Sequence, residues 1–332
     1  MIRAAIIGLG WWGKMIVESV QGKSDQISFV AANTRTRAKA EDFCRDKKIE
    51  LRSDLDEILR DPKIDAVVYT TPHSQHEEHI ERAAQAGKHV CVEKPFTLTV
   101  ASARAALDAV KKAGVVLGID YQRRFHPSIR EIRKSVRDGR LGAICFGVAE
   151  ATAPAGLFLP KESWRISPEE TPAGAMTGIG VHLVDGFIDL FGEIVEVYCV
   201  STRRAAPLVD DTTTVTLRHK SGMTSSFTCS IASAANYRVA VYGARGLAET
   251  EANLDIFRFS PAPDKPGHAP SSQPEVIENK GFNPVKASIE AFAAAINGAA
   301  PFPITADQIV HGVAVFEAIV KSAATGKPVK VA

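Results

Sequence analysis

Over the first 120 residues, short apolar runs alternate with stretches of helical periodicity. The runs are almost wholly apolar, which is typical of strands buried on both faces of a parallel sheet. They fall at residues 3–7, 27–32, 66–69, 90–92 and 115–119. The helical stretches fall between them at 11–20, 36–47, 74–86 and 101–112. This alternation predicts an α/β domain with a doubly wound parallel sheet of the Rossmann type.

Beyond residue 120 the pattern changes from alternation to successive strands. A helical stretch at 130–136 precedes strand patterns from 144 onward, at 194–201, 212–217, 224–231 and 238–242, and helical stretches at 286–296 and 305–323 close the chain. Consecutive strands separated by turns favour antiparallel pairing. We therefore predict a dinucleotide-binding domain over 1–120 and an α+β domain with a large, mostly antiparallel open sheet over 121–332. The last helix is expected to pack back towards the first domain.

A glycine-rich hexapeptide, Gly8-Leu9-Gly10-Trp11-Trp12-Gly13, lies between the first strand and the first helix. The first glycine permits a tight turn, the second lets a pyrophosphate approach the backbone, and the third lets helix and strand pack closely. The amino terminus of the helix would then face the phosphates. The motif predicts nucleotide binding, against the alternative of a purely structural glycine turn. Trp11 and Trp12 are expected to pack around this cofactor loop.

The end of the second strand bears on the choice between the two nicotinamide cofactors. Sites for NAD usually place an acid there to accept from the ribose 2′-hydroxyl. This chain has Asn33, Thr34, Arg35 and Arg37 but no acid. A hydroxyl and a guanidinium would bind a 2′-phosphate, which a carboxylate would repel. The sequence therefore favours NADP(H) over NAD(H). The alternative is that the arginines are solvated and NAD binds without the acid.

The tripeptide Glu93-Lys94-Pro95 directly follows the buried strand at 90–92. A lysine just past the carboxyl end of a parallel strand lies at the ligand crevice of such a sheet. Burial and a neighbouring cation would lower its pKa towards neutrality, where it could handle a proton. The alternative is an exposed Glu93–Lys94 ion pair in a loop. Candidate substrate-side residues are Tyr121, Arg123, Trp164 and Arg165, whereas Arg124 is expected to be solvated.

Several motifs in this order resemble the glucose–fructose oxidoreductase/inositol dehydrogenase/MocA (Gfo/Idh/MocA) family. They are the fingerprint, Thr-Pro-His-Ser-Gln-His at 71–76, Glu93-Lys94-Pro95, Arg-Arg-Phe at 123–125 and Gly-Val-His-Leu-Val-Asp at 180–185. The resemblance covers essentially the whole chain. It implies an NAD(P)-dependent dehydrogenase acting on CH–OH groups of sugars, cyclitols or related polyols. It also implies an open sheet that packs against another subunit in a homodimer or homotetramer.

The resemblance further implies roles for individual residues. Lys94 would contact the nicotinamide end and the reacting oxygen, and the Lys94–Pro95 bond would be cis, as in some relatives. Thr71, Pro72 and His76 would line the cofactor pocket together with Glu93. His182 and Asp185 would face the substrate and complete a catalytic set with Lys94. We expect His182 to titrate in a range suited to acid–base catalysis.

One position departs from the pattern of the family. The family usually reads Asp-x-Gly-x-His-x-x-Asp, but Gly178 stands where the first acid is expected, four residues before His182. On a helix that acid would neighbour the histidine. Its loss leaves two alternatives open besides a dehydrogenase. One is a nicotinamide-binding sensor or scaffold with little turnover, and the other is a relative that uses a tightly bound cofactor for transient oxidation during elimination or hydrolysis.

Composition narrows the possible partners and compartments. A net charge of +2 is too small to indicate nucleic acid or an anionic membrane as partner. No apolar run approaches the roughly 20 residues of a membrane span, and five dispersed cysteines favour free thiols in a reducing compartment, so we expect a cytoplasmic protein. The histidines at 73, 76 and 79 drift around a helix without a further ligand, so no metal site is predicted. The expected partner is a small-molecule substrate.

Overall fold

The computed structural model describes residues 1–263, 265, 267–270 and 272–332, which form two compact units. The first unit contains residues 1–122 and 283–313, and the second contains 123–282 and 314–332. The sequence had suggested a single boundary after residue 120. The structure differs because the segment at 283–313 belongs to the first unit, and the division falls within the last helix.

The first unit alternates strands and helices along the chain. Its strands are β1 (Ile2–Ile7), β2 (Ile27–Asn33), β3 (Glu50–Leu51), β4 (Ala66–Tyr69), β5 (His89–Val92) and β6 (Leu117–Ile119). Its helices are α1 (Trp11–Val20), α2 (Glu41–Lys47), α3 (Leu55–Arg60), α4 (His76–Gln85) and α5 (Val100–Ala113). The six strands are all parallel, in the order β3-β2-β1-β4-β5-β6. This order confirms the predicted Rossmann sheet, whose ligand crevice lies at the carboxyl ends of the strands.

A helix from late in the chain completes the core of the first unit. This helix, which we number α8 (Pro284–Ile296), packs Val285, Ile289 and Phe292 into the same cluster as the residues of β1 and β2. The Phe292 ring lies so close to Gly118 of β6 that a Cβ at that glycine would come within 3.0 Å of it. Burying these apolar side chains is what ties residues 283–313 to the first unit.

The second unit contains one large sheet and two helices that precede α8 in the chain. Its strands are β7 (Ile144–Thr152), β8 (Ile194–Thr202), β9 (Thr212–His219), β10 (Thr224–Ser230), β11 (Asn236–Gly243), β12 (Gly246–Glu251), β13 (Ile256–Pro261), β14 (Glu275–Glu278) and β15 (Val329–Lys330). Its helices are α6 (Pro127–Arg137) and α7 (Val181–Phe191), and α9 (Ala306–Thr325) is shared with the first unit. The strand order is β14-β13-β12-β11-β7-β10-β9-β8-β15. Only β7 and β10 pair in parallel among these described strands, which confirms the mostly antiparallel sheet.

The two faces of this sheet differ in polarity and exposure. Alternate residues such as Ala149, Phe227 and Leu217 are buried and face the side that α7 packs against. The residues between them include three threonines of β9 and two of β10, and several exposed aromatic and aliphatic side chains. Such alternation is typical of an antiparallel sheet that is covered on one face only. Within the described part of the chain, no helix is long and apolar enough to cross a membrane.

Candidate nucleotide and catalytic site

The glycine loop is closed by the end of a neighbouring strand. Gly8 follows β1 with φ 98°, a backbone conformation that glycine adopts readily. Its carbonyl oxygen accepts a hydrogen bond from the Thr70 hydroxyl, and its N–H donates to the Asn33 carbonyl oxygen at 2.8 Å. A Cβ at Gly13 would lie 2.3 Å from the Gly8 oxygen, so helix α1 can approach the loop only with glycine there. The first and third glycines thus have the roles predicted from the sequence.

The second glycine leaves space above the loop. A Cβ at Gly10 would meet no heavy atom within 4 Å, so the backbone is open to an incoming group. Gly10 is also the N-cap residue of α1 and has no side chain to bind the N–H groups of the first turn. An open backbone at a helix amino terminus fits a pyrophosphate. Trp12 packs inward, whereas Trp11 is 73% exposed, and their ring centroids are 5.4 Å apart.

Basic side chains gather around the end of β2. Arg35 and Arg37 are exposed, and Thr34 is half-buried. The Lys14 amine of α1 donates to the Lys39 carbonyl oxygen at 2.9 Å, which holds a further cation beside the same segment. The Asn33 amide donates to the Arg52 carbonyl oxygen at 3.1 Å. The predicted candidates at this strand end therefore lie together on a positive surface.

A buried histidine joins the two loops that follow β4 and β5. The Nδ1 atom of His76 lies 2.9 Å from the Pro95 carbonyl oxygen and 3.1 Å from that of Phe96, and its Nε2 atom lies 3.2 Å from the Thr71 carbonyl oxygen. His76 therefore fixes the Thr71–Pro72 turn against the turn that carries Lys94. The Lys94–Pro95 bond is cis, as the resemblance implied.

The histidines at 73, 76 and 79 do not converge on one point. The His79 ring stacks on Tyr69 at 4.8 Å, and its Nδ1 atom lies 3.0 Å from the Thr71 hydroxyl. Burial lowers the pKa of His79 to about 4, so it is neutral at pH 7. Across the described residues, no group of three or more His, Cys, Asp or Glu side chains could hold a metal ion.

Glu93 and Lys94 lie at the carboxyl end of β5, where the sequence placed them. Glu93 is only 7% exposed, and its carboxylate accepts a hydrogen bond from the Trp12 indole of the glycine loop. Lys94 is half-buried. The buried glutamate is not part of an exposed loop, so the alternative of a surface ion pair is excluded. The hydrogen bond between Trp12 and Glu93 thus links the glycine loop to the segment that carries Lys94.

Sequence analysis missed three residues that complete this part of the first unit. Thr70 closes the loop at Gly8, Asp120 lies beside Glu93, and Ser288 lies beside Asp120. Asp120 could have been found, because an acid that directly follows a buried strand repeats the pattern of Glu93. Ser288 could not, because its helix lies more than 160 residues further along the chain.

In the second unit, the predicted catalytic Asp185 has a buried arginine partner. Arg124 donates through Nε to one Asp185 carboxylate oxygen at 3.0 Å and through Nη2 to the other at 2.5 Å. Burial raises the pKa of Asp185 to about 6 although Arg124 opposes the shift. Arg124 is 4% exposed, so the expectation that it is solvated was wrong. The carboxylate that draws it inside lies 61 residues away in sequence.

His182, Asp185 and Arg123 line one small cavity of the second unit together with Tyr237. His182 is 5% exposed and lies one turn of α7 before Asp185. The Arg123 guanidinium lies 5.0 Å from the centre of the Tyr237 ring. The structure therefore brings three of the predicted site residues together around a shared space. Apolar side chains, among them Ile129 and Leu183, complete its lining.

The remaining candidates have local surroundings of their own. The Arg165 guanidinium stacks at 4.1 Å on the neighbouring Trp164 ring, in a 3₁₀ turn at Trp164–Ile166. Tyr121, directly after β6, is 7% exposed and belongs to the first unit. Gly178 lies in a π-helical turn, Met176–Gly180, that runs into α7. A Cβ at Gly178 would meet only Ile231, at 3.6 Å, so a side chain there has room.

The fold and these sites define a Rossmann dinucleotide-binding protein with a second, α+β domain. The chain belongs to the Gfo/Idh/MocA family, which confirms the resemblance found in the sequence. Residues 2–121 match the family model described as "Oxidoreductase family, NAD-binding Rossmann fold". Residues 129–249 match that of the GFO/IDH/MocA C-terminal domain.

Curated relatives and solved structures show the range of this family. The chain is 37% identical to scyllo-inositol 2-dehydrogenase (NAD(+)) of Bacillus subtilis (strain 168) over 146 residues, which is 42% of each chain. It is 31% identical to scyllo-inositol 2-dehydrogenase (NADP(+)) IolW of the same organism, over 63% of this chain and 58% of that one. The aldose-aldose oxidoreductase of Caulobacter crescentus, solved with glycerol, superposes with a TM-score of 0.86 at 27% identity and covers 99% of both chains. The match thus spans less than half of the first relative, and relatives of both cofactor types occur.

Proposed function

We propose that this protein is an NAD(P)-dependent dehydrogenase that transfers a hydride between nicotinamide and a hydroxyl or carbonyl carbon of a sugar-like or cyclitol substrate. The observation that carries the proposal is the connection between Glu93, which precedes Lys94, and Trp12 of the glycine loop. This connection holds the residue before Lys94 against the glycine loop, which supports a role for the Lys94 amine at the crevice of a dinucleotide-binding sheet. The named relatives, which act on inositols and aldoses, support the substrate class.

The residues of the first unit supply binding and proton handling for this reaction. Nicotinamide, when bound, supplies the hydride acceptor or donor. Gly8, Gly10 and Gly13 hold the pyrophosphate against the start of α1. Lys94 is placed to donate a hydrogen bond to the reacting oxygen and to exchange its proton. A positioned acid–base group contributes about 10²–10⁴-fold to the rate.

The test is a turnover assay with a defined panel of substrates. The purified protein is mixed with each cofactor and with inositols, aldoses and linear polyols, and nicotinamide absorbance is followed. Lys94→Ala should lower kcat by about 10²-fold or more, while Lys112→Ala, on the exposed end of α5, should leave it unchanged. If the cofactor binds but no substrate gives turnover above Lys94→Ala, the dehydrogenase proposal fails. The sensor hypothesis would then be favoured.

We further propose that NADP(H) is preferred over NAD(H). Arg35 and Arg37 are exposed beside the Lys14 amine, and no acid follows β2 in the segment 33–37. A 2′-phosphate would gain charge-assisted hydrogen bonds there. Arg35→Ala should weaken NADPH binding by about tenfold or more and should leave NADH binding unchanged. Arg45→Ala, on the exposed side of α2, is the matched control. Tighter binding of NADH than of NADPH by the wild-type protein would overturn the preference.

His182 and Asp185 stay predicted catalytic residues of the second unit, and the geometry suggests different tasks for them. The bidentate contact between Arg124 and Asp185 supports a role for the acid in fixing α7. His182 lines the cavity with Arg123 and is the better candidate for acid–base work. His182→Asn should therefore lower kcat strongly and change Tm little. Asp185→Asn should reduce both.

The open sheet of the second unit supports the proposal of a homo-oligomer. Phe146, Tyr198 and Val200 are more than 40% exposed, and the register of β7 to β10 places them on the same face. The Phe146 ring stacks on Tyr242 at 4.4 Å. Exposed apolar patches of this kind mark interfaces. Tyr198→Asp should convert a dimer or tetramer into smaller species by light scattering, and a monomeric wild-type protein would refute the proposal. The cytoplasmic location stays a prediction from the dispersed cysteines.

A further inference from the structure

Two carboxyl side chains emerge from the ends of adjacent strands in the first unit. The register of β5 and β6 pairs Val92 with Ile119, so the next residues, Glu93 and Asp120, are neighbours across the sheet edge. The Asp120 N–H donates to the Val92 carbonyl oxygen at 3.0 Å and continues the ladder to that point. Glu93 is 7% and Asp120 1% exposed. The fold therefore buries two acids side by side.

The surroundings of this pair contain few hydrogen-bond donors. Glu93 accepts from the Trp12 indole, whereas neither Asp120 oxygen meets a fixed N–H donor among the described residues. The groups that interact with Asp120 are the Glu93 carboxyl, the Ser288 hydroxyl and the charge of Lys94. Two buried carboxylates this close cannot both be ionised without a strong penalty. A proton held between them removes that penalty and supplies the missing donor.

Other titratable groups near the pair are consistent with a single negative charge. Burial raises the pKa of Glu93 well above its usual range, and Asp120 raises it further, while Lys94 opposes the shift. Burial also raises the pKa of Asp120, which Glu93, Ser288 and Lys94 oppose. From β5, the Cys91 thiol faces the same acids, and its pKa is raised first by burial and then by both carboxyls. Among the described residues, Lys94 is the cation that interacts with both acids.

We propose that Glu93 and Asp120 share one proton, and that the single negative charge of the pair is the counter-ion that positions the Lys94 ammonium. This inference rests on the proposed function only in naming Lys94 as the amine at the reacting oxygen. Asp120 is then a positioning residue that acts through Glu93. One shared charge balances one amine, so the buried cluster is neutral overall while Lys94 keeps its proton.

The test measures the reactivity of Lys94 and requires no turnover. The protein is labelled with acetic anhydride over a range of pH, and the Lys94 peptide is quantified by mass spectrometry. The exposed Lys112 is the internal control within the same sample. If one proton is shared, Glu93→Gln and Asp120→Asn each keep one negative charge, so the half-reaction pH of Lys94 stays within about half a unit of wild type. The double variant removes the charge and lowers that pH by about 1–2 units.

This pattern separates the proposal from its competitors. If both acids were ionised, each single variant would move the half-reaction pH by a large part of the double variant's shift. If both were neutral, even the double variant would leave it unchanged. Either result overturns the proposal. Turnover assays on the wild-type protein can fail without altering this outcome, so the two proposals are tested separately.

A second measurement starts from the wild-type protein, so its first result does not depend on whether any variant folds. Infrared spectra of the wild-type protein should contain a carboxylic-acid C=O band at neutral pH, which is converted to carboxylate as the pH is raised. Asp120→Asn should abolish that band, because the remaining Glu93 is ionised, while Asp65→Asn, a partly exposed acid of the same unit, should not. A wild-type spectrum without any protonated carboxyl at neutral pH would refute the shared proton.

Discussion

Removal of the Arg124 guanidinium should strongly destabilise the second unit. Arg124 is 2% exposed in its side chain, as against 7% for Asp185 and 4% for Asp189. It makes two hydrogen bonds to the Asp185 carboxylate, donates to the Asp185 carbonyl oxygen at 3.2 Å, and lies 3.6 Å from the Asp189 carboxylate. Arg124→Ala leaves a buried carboxylate without its partner, which costs about 3–5 kcal/mol.

Thermal unfolding followed by circular dichroism measures this effect. For a unit of this size, the loss corresponds to a lower Tm by about 10 °C. Asp185→Ala in the Arg124→Ala background should recover part of the loss, because the buried charge is then gone. Lys220→Ala removes an exposed pair with Glu193 in the same unit and should change Tm little. A Tm drop for Arg124→Ala no larger than that of Lys220→Ala would refute the reasoning.

The pH dependence gives an independent check of the same interaction. Arg124 opposes the upward shift that burial imposes on the Asp185 pKa, which stands at about 6. Without Arg124 the folded-state pKa rises further above the unfolded value of about 3.9. A group with a raised folded-state pKa loses stability as the pH rises through that window. The penalty of Arg124→Ala should therefore be smaller at pH 5 than at pH 8, and a penalty independent of pH would contradict this assignment.

Four further substitutions test three separate parts of the structure. Gly13→Ala places a Cβ 2.3 Å from the Gly8 oxygen and should lower both Tm and cofactor affinity, whereas Gly10→Ala meets no atom and should lower affinity alone, as calorimetry would measure. Burial acts to raise the pKa of Asp211, but hydrogen bonds from the N–H groups of Ala205 and Ala206 lower it overall. The ionised Asp211 therefore stabilises the folded protein at neutral pH, and this stabilisation is lost as the pH falls below about 4. Asp211→Asn should flatten the acid side of the Tm–pH curve. The Gly178→Asp variant should fold normally, because a Cβ at this position would meet only Ile231, at 3.6 Å, among the described residues. Higher turnover of the variant on generic polyols would show that the wild-type protein lacks a useful acid. Loss of activity would show instead that the glycine makes room for the substrate.

The sequence predicted the elements of the first unit where local signals were strong. The glycine loop, the strand before it and the tripeptide after β5 are all marked by local composition, and the structure confirms the sheet that they imply. The stretch predicted as one helix at 36–47 is instead a 3₁₀ turn followed by α2, and α3 was not predicted. Both differences lie in short, charged segments where helical periodicity carries little information.

Long-range contacts account for what the sequence could not supply. The burial of Arg124 depends on Asp185 of α7. The packing of residues 283–313 into the first unit depends on the contact between the Phe292 ring and Gly118. Neither contact leaves a local pattern. The mostly antiparallel sheet of the second unit was predicted, because a succession of strands and turns is itself a local pattern. What the sequence lacks is the pairing of buried groups that are far apart along the chain.

Each unit has buried acids near its candidate catalytic group, but the negative charge of those acids is compensated by a different kind of cation in each unit. Asp185, one turn from His182, is held by the permanent charge of Arg124. Glu93 and Asp120 lie beside Lys94, which can lose its proton. An acid at position 178 would add a further negative charge next to His182 and would raise its basicity. With glycine there, His182 lacks that support from its own helix, so Lys94, which has an acid pair beside it, is the group expected to carry more of the proton transfer. The ratio of the kcat losses in Lys94→Ala and His182→Asn measures this division, and a larger loss for His182→Asn would reverse it.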